Sequence, residues 1–247
     1  YRAFADNIYD ETKKCSATDI KKNNVVFVSS YLLDDFAKDV LSNVQEKFIL
    51  ITHQGDTNIL NEDKYKSIAD NKNVIHWFCQ NCLLEHKKVT PLPIGLEDRW
   101  KHNAGAIKDF KNKRLINKPK ENKILMGFSI NTNPDARFKC YRALWNDKKT
   151  RELYLANNAH VYRKQLAKHM FVASPAGNGL DCHRTWEAMY LKVIPLVEDN
   201  YMHRYFKNLG LPLYLVDDWN KLRQLTTEDL TNIYQEIISN SNFEPLK

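Results

Sequence analysis

Glycine is scarce in this chain of 247 residues: there are seven, against an average usage of about 7 %. No internal repeat or low-complexity tract stands out. Long apolar runs are missing too, and none approaches the roughly 20 residues a membrane-spanning helix requires. The opening "YRAFADNIYDETKKC" has neither the apolar core nor the cleavage pattern of a signal peptide. No membrane span is expected, and an anchor upstream of Tyr1 is left open. Cysteine is sparse and odd in number, with five scattered residues, Cys15, Cys79, Cys82, Cys140 and Cys182. That excludes a dense disulfide framework, and a reducing, cytoplasmic compartment is expected.

What is present suffices for real cores, at 43 % hydrophobic and 11 % aromatic residues, in one large domain or two smaller ones. The formal net charge of +7 attracts anions, and its sign alone does not choose among nucleotides, phosphosugars and nucleic acid. Within "HWFCQNCLLEH", His76, Cys79, Cys82 and His86 have zinc-ligand chemistry. No second Cys/His pair follows at zinc-finger spacing, and the apolar neighbours favour packing.

Short apolar runs alternate with helix-like stretches. "NNVVFVSS" (23–30) reads as a buried strand, "YLLDDFAKDVLSNVQEK" as an amphipathic helix and "FILITHQGD" (48–56) as the next strand. "NVIHWFCQN" and "KVTPLPIGLED" continue a βαβ pattern around a parallel sheet. The lysine-rich "KDFKNKRLINKPKENK" (108–123) interrupts it, which places a domain boundary near residue 118 and gives domains 1–118 and 119–247. "KILMGFSINTNPDAR" resumes with a strand and turn, "RFKCYRALWNDKKTRELYL" reads as helix, and "LPLYLVDDW" as strand. "TTEDLTNIYQEIISN" reads as a terminal helix with Thr227 as N-cap. Gly55, Gly95, Gly127 and Gly177 each stand at or just beyond a strand-like run, where an α/β sheet turns toward its ligand.

The richest stretch is "FVASPAGNGLDCHRTWEAMYLKVIPLV" (171–197). A strand is expected to end at Ser174, a loop with Gly177, Asn178 and Gly179 to follow, Asp181 to cap, and a helix to start near His183 and Arg184. A glycine loop feeding a helix N-terminus gathers free N–H groups and the positive dipole end, which suits a phosphate. An arginine can hold two phosphate oxygens at once. Glu187, three residues past Arg184, shares its helical face and suits ribose hydroxyls. Trp186, Met189 and Tyr190 are expected in the core. Taken alone, Arg184 and Glu187 read as an ordinary surface ion pair; the glycine loop, the proline and the following apolar strand favour an anion site.

Residues 162–199, "YRKQLAKHMFVASPAGNGLDCHRTWEAMYLKVIPLVED", resemble the donor-binding region of exostosin-like glycosyltransferases. That family shows a Tyr and Leu ahead of a Phe-x-Leu-x-Pro-x-Gly strand and loop, then an Arg-x-x-Glu helix and an Ile-Pro-Val strand. "MGFSINTNPDAR" is similar to the family's first donor-domain strand with its arginine, here Arg137. Cys182 stands where a Ser is common, and Lys192 where a Gly is usual. The resemblance implies two α/β, Rossmann-like domains facing across a cleft (GT-B type), with two options for the C-terminal helix: the second domain or a return to the first. It also implies a nucleotide-sugar donor, a UDP-sugar, bound by Ser174, Gly177, Asn178, Gly179, His183, Arg184 and Glu187 with Arg137 and Arg163. The implied reaction is inverting transfer to a hydroxyl of a glycan acceptor.

Inversion needs a base for the acceptor hydroxyl. "THQGDTN" offers His53 and Asp56, and "PIGLED" offers Glu97 and Asp98; Asp56 ranks first because Gly55 lets the chain turn before it. Metal and cofactor are not expected, since the acidic pairs Asp34-Asp35 and Asp217-Asp218 fall in a helix and a turn. The alternative is a nucleotide- or nucleic-acid-binding α/β protein without glycosyl transfer. Dispersed lysines and arginines, with aromatics inside apolar runs, speak against nucleic acid as the partner.

Overall fold

The structure is a computed structural model that describes residues 1–97, 107–153, 158–243 and Leu246. Contacts divide the chain into two α/β units, Tyr1–Ile94 and Gly95–Lys247. The division falls ahead of the expected boundary at residue 118. The reason is packing: Phe110 is buried against Leu125, Val172 and Ala188 of the second unit, with Leu96, Leu115 and Ile116 around it.

In the first unit five parallel strands stand in chain order: β1 (Asn7–Tyr9), β2 (Val25–Ser29), β3 (Phe48–His53), β4 (Val74–Cys79) and β5 (Val89–Pro91). Helices α1 (Leu33–Asp39) and α2 (Asp63–Asp70) fill two of the crossovers. The expected helix over 31–47 is shorter, because it gives way to a 3-10 turn at Leu41–Asn43. Phe27, Phe36, Phe48, Leu50 and Trp77 are fully buried, and Trp77 Nε1 donates to Thr52 Oγ1 at 2.9 Å. Pro91 lies in an edge strand, where its missing N–H is tolerated.

The second unit opens with short helices α3 (Ile107–Phe110) and α4 (Lys113–Ile116), followed by β6 (Glu121–Met126), α5 (Pro134–Leu144) and β7 (Thr150–Glu152). Then come α6 (Ala159–Leu166), β8 (His169–Ala173), α7 (His183–Tyr190), β9 (Ile194–Glu198), α8 (Tyr201–Asn208), β10 (Tyr214–Val216), α9 (Lys221–Gln224) and α10 (Thr227–Asn240). All pairings are parallel, in the order β7-β6-β8-β9-β10. From β6 the chain first adds a strand on one side and then crosses to the other, so the order reverses between β6 and β8. In open α/β sheets such a switch point, at the carboxyl ends of the strands, is where ligands bind.

The sequence predicts helix through 137–155, but α5 ends at Leu144. Trp145 is extended, Asn146 adopts φ 54°, and Asp147 closes a turn by accepting from Lys149 N at 2.8 Å. Helix α10 packs on the second unit, one of the two options the sequence offers. Ile233, Tyr234, Ile237 and Ile238 lie on its core, Tyr234 donates to Lys192 O at 2.8 Å, and Asn122 Nδ2 donates to Thr227 O at 2.7 Å. Its N-cap is Thr226, one residue before the expected Thr227, in a capping box with Asp229.

Candidate functional site

The switch point is built from the loops after β6 and β8. Helix α7 starts at His183 with Cys182 as N-cap, and no side chain caps it. The expected cap, Asp181, is buried instead and accepts from Trp186 Nε1 at 2.9 Å. The Cys182 thiol donates toward Pro175 O at 3.6 Å, and burial pushes its pKa up. Thr185 N donates to Cys182 O at 2.9 Å, and among the described residues the N–H groups of His183 and Arg184, with the positive end of the dipole, are left for an anion.

Helix α5 fixes the glycine loop. Asn133 Nδ2 donates to Gly177 O at 2.7 Å, Arg137 Nε to Ala176 O at 3.0 Å, and Arg137 Nη1 to Ser129 O at 2.8 Å. Buried Arg137 is therefore a strut between the two loops. A Cβ on Gly177 would meet Arg137 Nη2 at 2.8 Å and Cys182 Sγ at 3.4 Å, which explains the glycine. Gly177 N donates to Gly179 O at 2.9 Å, and the exposed Asn178 caps the loop tip. Ser174 shares a hydrogen bond with Thr185 at 2.9 Å, inside the core.

Arg184 is half-buried, and its Nη1 is buried with no hydrogen-bond partner. Its guanidinium lies 5.5 Å from the Phe128 ring centroid, and that of Arg137 lies 5.9 Å from the same centroid. Burial, then the Arg184 charge, hold Arg137 below the usual guanidinium range. Glu187 is buried, and no described residue hydrogen-bonds its carboxylate. Burial pushes its pKa up to about 7 against the pull of Arg184 and Arg163, with Glu97 adding to the rise. Arg163, also buried, pairs with Asp109 at 3.3 Å and lies 5.5 Å from the Phe110 ring. The Tyr162 hydroxyl is buried beside the Arg184 guanidinium, and burial holds it well above the usual tyrosine range against the pull of that charge.

Of the proposed bases, Glu97 belongs to this unit. His183 Nδ1 lies 2.8 Å from Gly95 O and so carries the donated proton, while its Nε2 lies 3.5 Å from Glu97 Oε2. His53 and Asp56 lie in the first unit: His53 Nε2 is 3.1 Å from Pro93 O, and Asp56 Oδ2 accepts from the Tyr31 hydroxyl at 3.0 Å. Asp98 lies outside the described residues. Glu198, at the end of β9, was not singled out by the sequence. Its Oε1 accepts from Ala176 N at 3.3 Å, and burial raises its pKa although Arg184 and Arg137 pull it down. An acidic residue closing a buried parallel strand is the signal that could have found it.

The residues with metal-ligand chemistry are engaged elsewhere. His76 Nε2 lies 2.8 Å from Thr90 Oγ1, His86 Nε2 lies 3.1 Å from Asp70 Oδ1, and Cys79 and Cys82 are buried. Asp34 pairs with Lys64 at 2.6 Å, and Asp217 pairs with Lys221. Among the described residues, no group of three or more His, Cys, Asp and Glu could hold a metal ion, and no helix is long and apolar enough to cross a membrane. In comparison with known proteins, no family model and no curated sequence matches this chain.

Proposed function

We propose that the second unit binds the diphosphate of a nucleotide sugar at the N-terminus of α7, and that the protein is an inverting glycosyltransferase of GT-B type acting on a glycan hydroxyl. The carrying observation is Arg184: a guanidinium with a buried, unpartnered Nη1, beside an uncapped helix N-terminus, at the topological switch point. Such a group supplies the charge that a departing diphosphate needs, without requiring a metal. Glu187, with no hydrogen bond from a described residue, is left to accept from sugar hydroxyls. The resemblance of residues 162–199 to exostosin-like enzymes supports the same assignment and supplies the expectation of a uridine donor.

Calorimetric titration with nucleoside diphosphates tests it. Arg184→Ala and Glu187→Ala should each weaken binding by about 10- to 150-fold, the range for a lost hydrogen bond to a charged group. Two variants that bind like the parent would place the donor elsewhere. Turnover should survive EDTA; its complete loss, with recovery on adding manganese or magnesium, would reject the metal-free leaving-group role.

A further inference from the structure

A second recognition element shares the Phe128 side chain. A cavity of about 330 Å³ opens at the carboxyl ends of β6 and β7, with Met126, Phe128, Ser129, Asn131, Tyr141 and Glu152 on its walls. That volume is at the low end for small-molecule sites, room for a ring system and not for a whole nucleotide sugar. Two aromatic side chains, Phe128 and Tyr141, line it and suit contact with a flat ring. The Phe128 ring that lines this cavity is the one approached by the Arg184 guanidinium at 5.5 Å, so the cavity adjoins the anion site.

Glu152 is the unusual lining residue. It pairs with Met126 across the sheet, at the last position of an edge strand, and is half-buried. No described residue donates to its carboxylate or forms an ion pair with it, although the chain holds 37 lysines and arginines. An ionised carboxylate only accepts, through two oxygens side by side. Among nucleobase edges, guanine presents two adjacent donors, N1–H and the N2 amino group, and these match the carboxylate one to one. Uracil offers a single N3–H flanked by two carbonyl oxygens, one of which would face a carboxylate oxygen. Adenine and cytosine each offer an amino group beside a ring-nitrogen acceptor.

We infer that this cavity is a base subsite that selects guanine through Glu152, which makes the donor a guanosine diphosphate sugar in place of the uridine donor expected from resemblance. The inference rests on the donor-site reading at Arg184. Asn131, exposed at the rim, provides an amide N–H for guanine O6.

The test is calorimetric titration of GDP, IDP, UDP and ADP into the full chain and into Glu152→Gln, with Arg184→Ala as control. GDP should bind at least 10-fold tighter than IDP, which lacks the N2 amino group, and tighter than UDP or ADP. Glu152→Gln should bring GDP down to the IDP level, because the Gln amide turns one acceptor into a donor. The GDP-to-IDP ratio on the unmodified protein needs no variant and stands even if Glu152→Gln fails to fold. Equal GDP and IDP affinity, or UDP or ADP binding as tightly as GDP, overturns the guanine assignment; if Arg184→Ala still weakens all of them, the donor site survives. Absence of binding by every nucleoside diphosphate overturns both.

Discussion

At the residue scale, burial separates the roles of two side chains that sequence spacing pairs. Arg184 and Glu187 are three residues apart on α7, yet no ion pair joins them among the described contacts. Arg184 keeps an unpartnered nitrogen, and Glu187 is desolvated until its pKa stands at about 7 instead of 4.5. The folded state therefore holds a proton on Glu187 over a window in which the unfolded chain has released it. Stability contributed by this group is full below about pH 4.5 and is lost as pH rises toward 7. At about 1.4 kcal/mol per pH unit, the loss across the window is of order 3 kcal/mol. Glu187→Gln removes the titration. Urea unfolding at pH 5 and pH 7.5 should show the variant gaining on the parent at the higher pH, and a constant difference would mean that the carboxylate is solvated.

At the element scale, α6 and α7 are tied together from below. Lys120, in the approach to β6, donates at 2.9 Å to both Ala167 O and Leu191 O, the C-caps of these helices, where a cation also suits the dipoles. Burial, with Lys192 nearby, lowers its pKa to about 8. Lys120→Met leaves two carbonyls unsatisfied and should cost about 1–3 kcal/mol. Above pH 8 the unfolded chain holds the lysine proton that the folded state has shed, so wild-type stability rises with pH toward 10. The cost of Lys120→Met should then be larger at pH 9.5 than at pH 7 in urea unfolding; a cost that shrinks would contradict the assignment. Elements differ in how far the sequence discloses them. β8 and β9 are covered on both faces, so "FVA" and "IPLV" form apolar runs that can be read directly. β7 is an edge strand of Thr, Arg and Glu with no apolar pattern, and its sequence continues the helical reading of α5. The Arg184-x-x-Glu187 face is local and legible. The approach of Gly95 and Glu97 to His183, and of Glu198 to the Ala176 loop, is made by tertiary folding and leaves no trace in local spacing.

At the scale of the whole molecule, the candidate bases fall in different units, and the base can be located by what each variant leaves intact. Asp56 belongs to Tyr1–Ile94, where a left-handed Gln54 (φ 59°) and hydrogen bonds from Gln80 and Asn81 to Gly55 O, at 3.0 and 3.3 Å, fix its loop. A Cβ on Gly55 would fall 2.1 Å from Ser30 Oγ and 3.1 Å from the Tyr31 ring, so a side chain there would require these two to shift. Glu97 belongs to Gly95–Lys247, beside His183 and within electrostatic reach of Glu187. If Asp56 takes the acceptor proton, Asp56→Asn should lower turnover by about 10²- to 10⁴-fold and leave nucleotide affinity unchanged. Glu97→Gln should instead alter nucleotide affinity, because it changes the charge next to Glu187 and His183. Both rates must be taken with donor and acceptor saturating, so that a raised KM is not mistaken for lost chemistry. An active Asp56→Asn beside a Glu97→Gln that binds nucleotide normally and does not turn over would move the base to Glu97, with His183 as the group that holds its carboxylate.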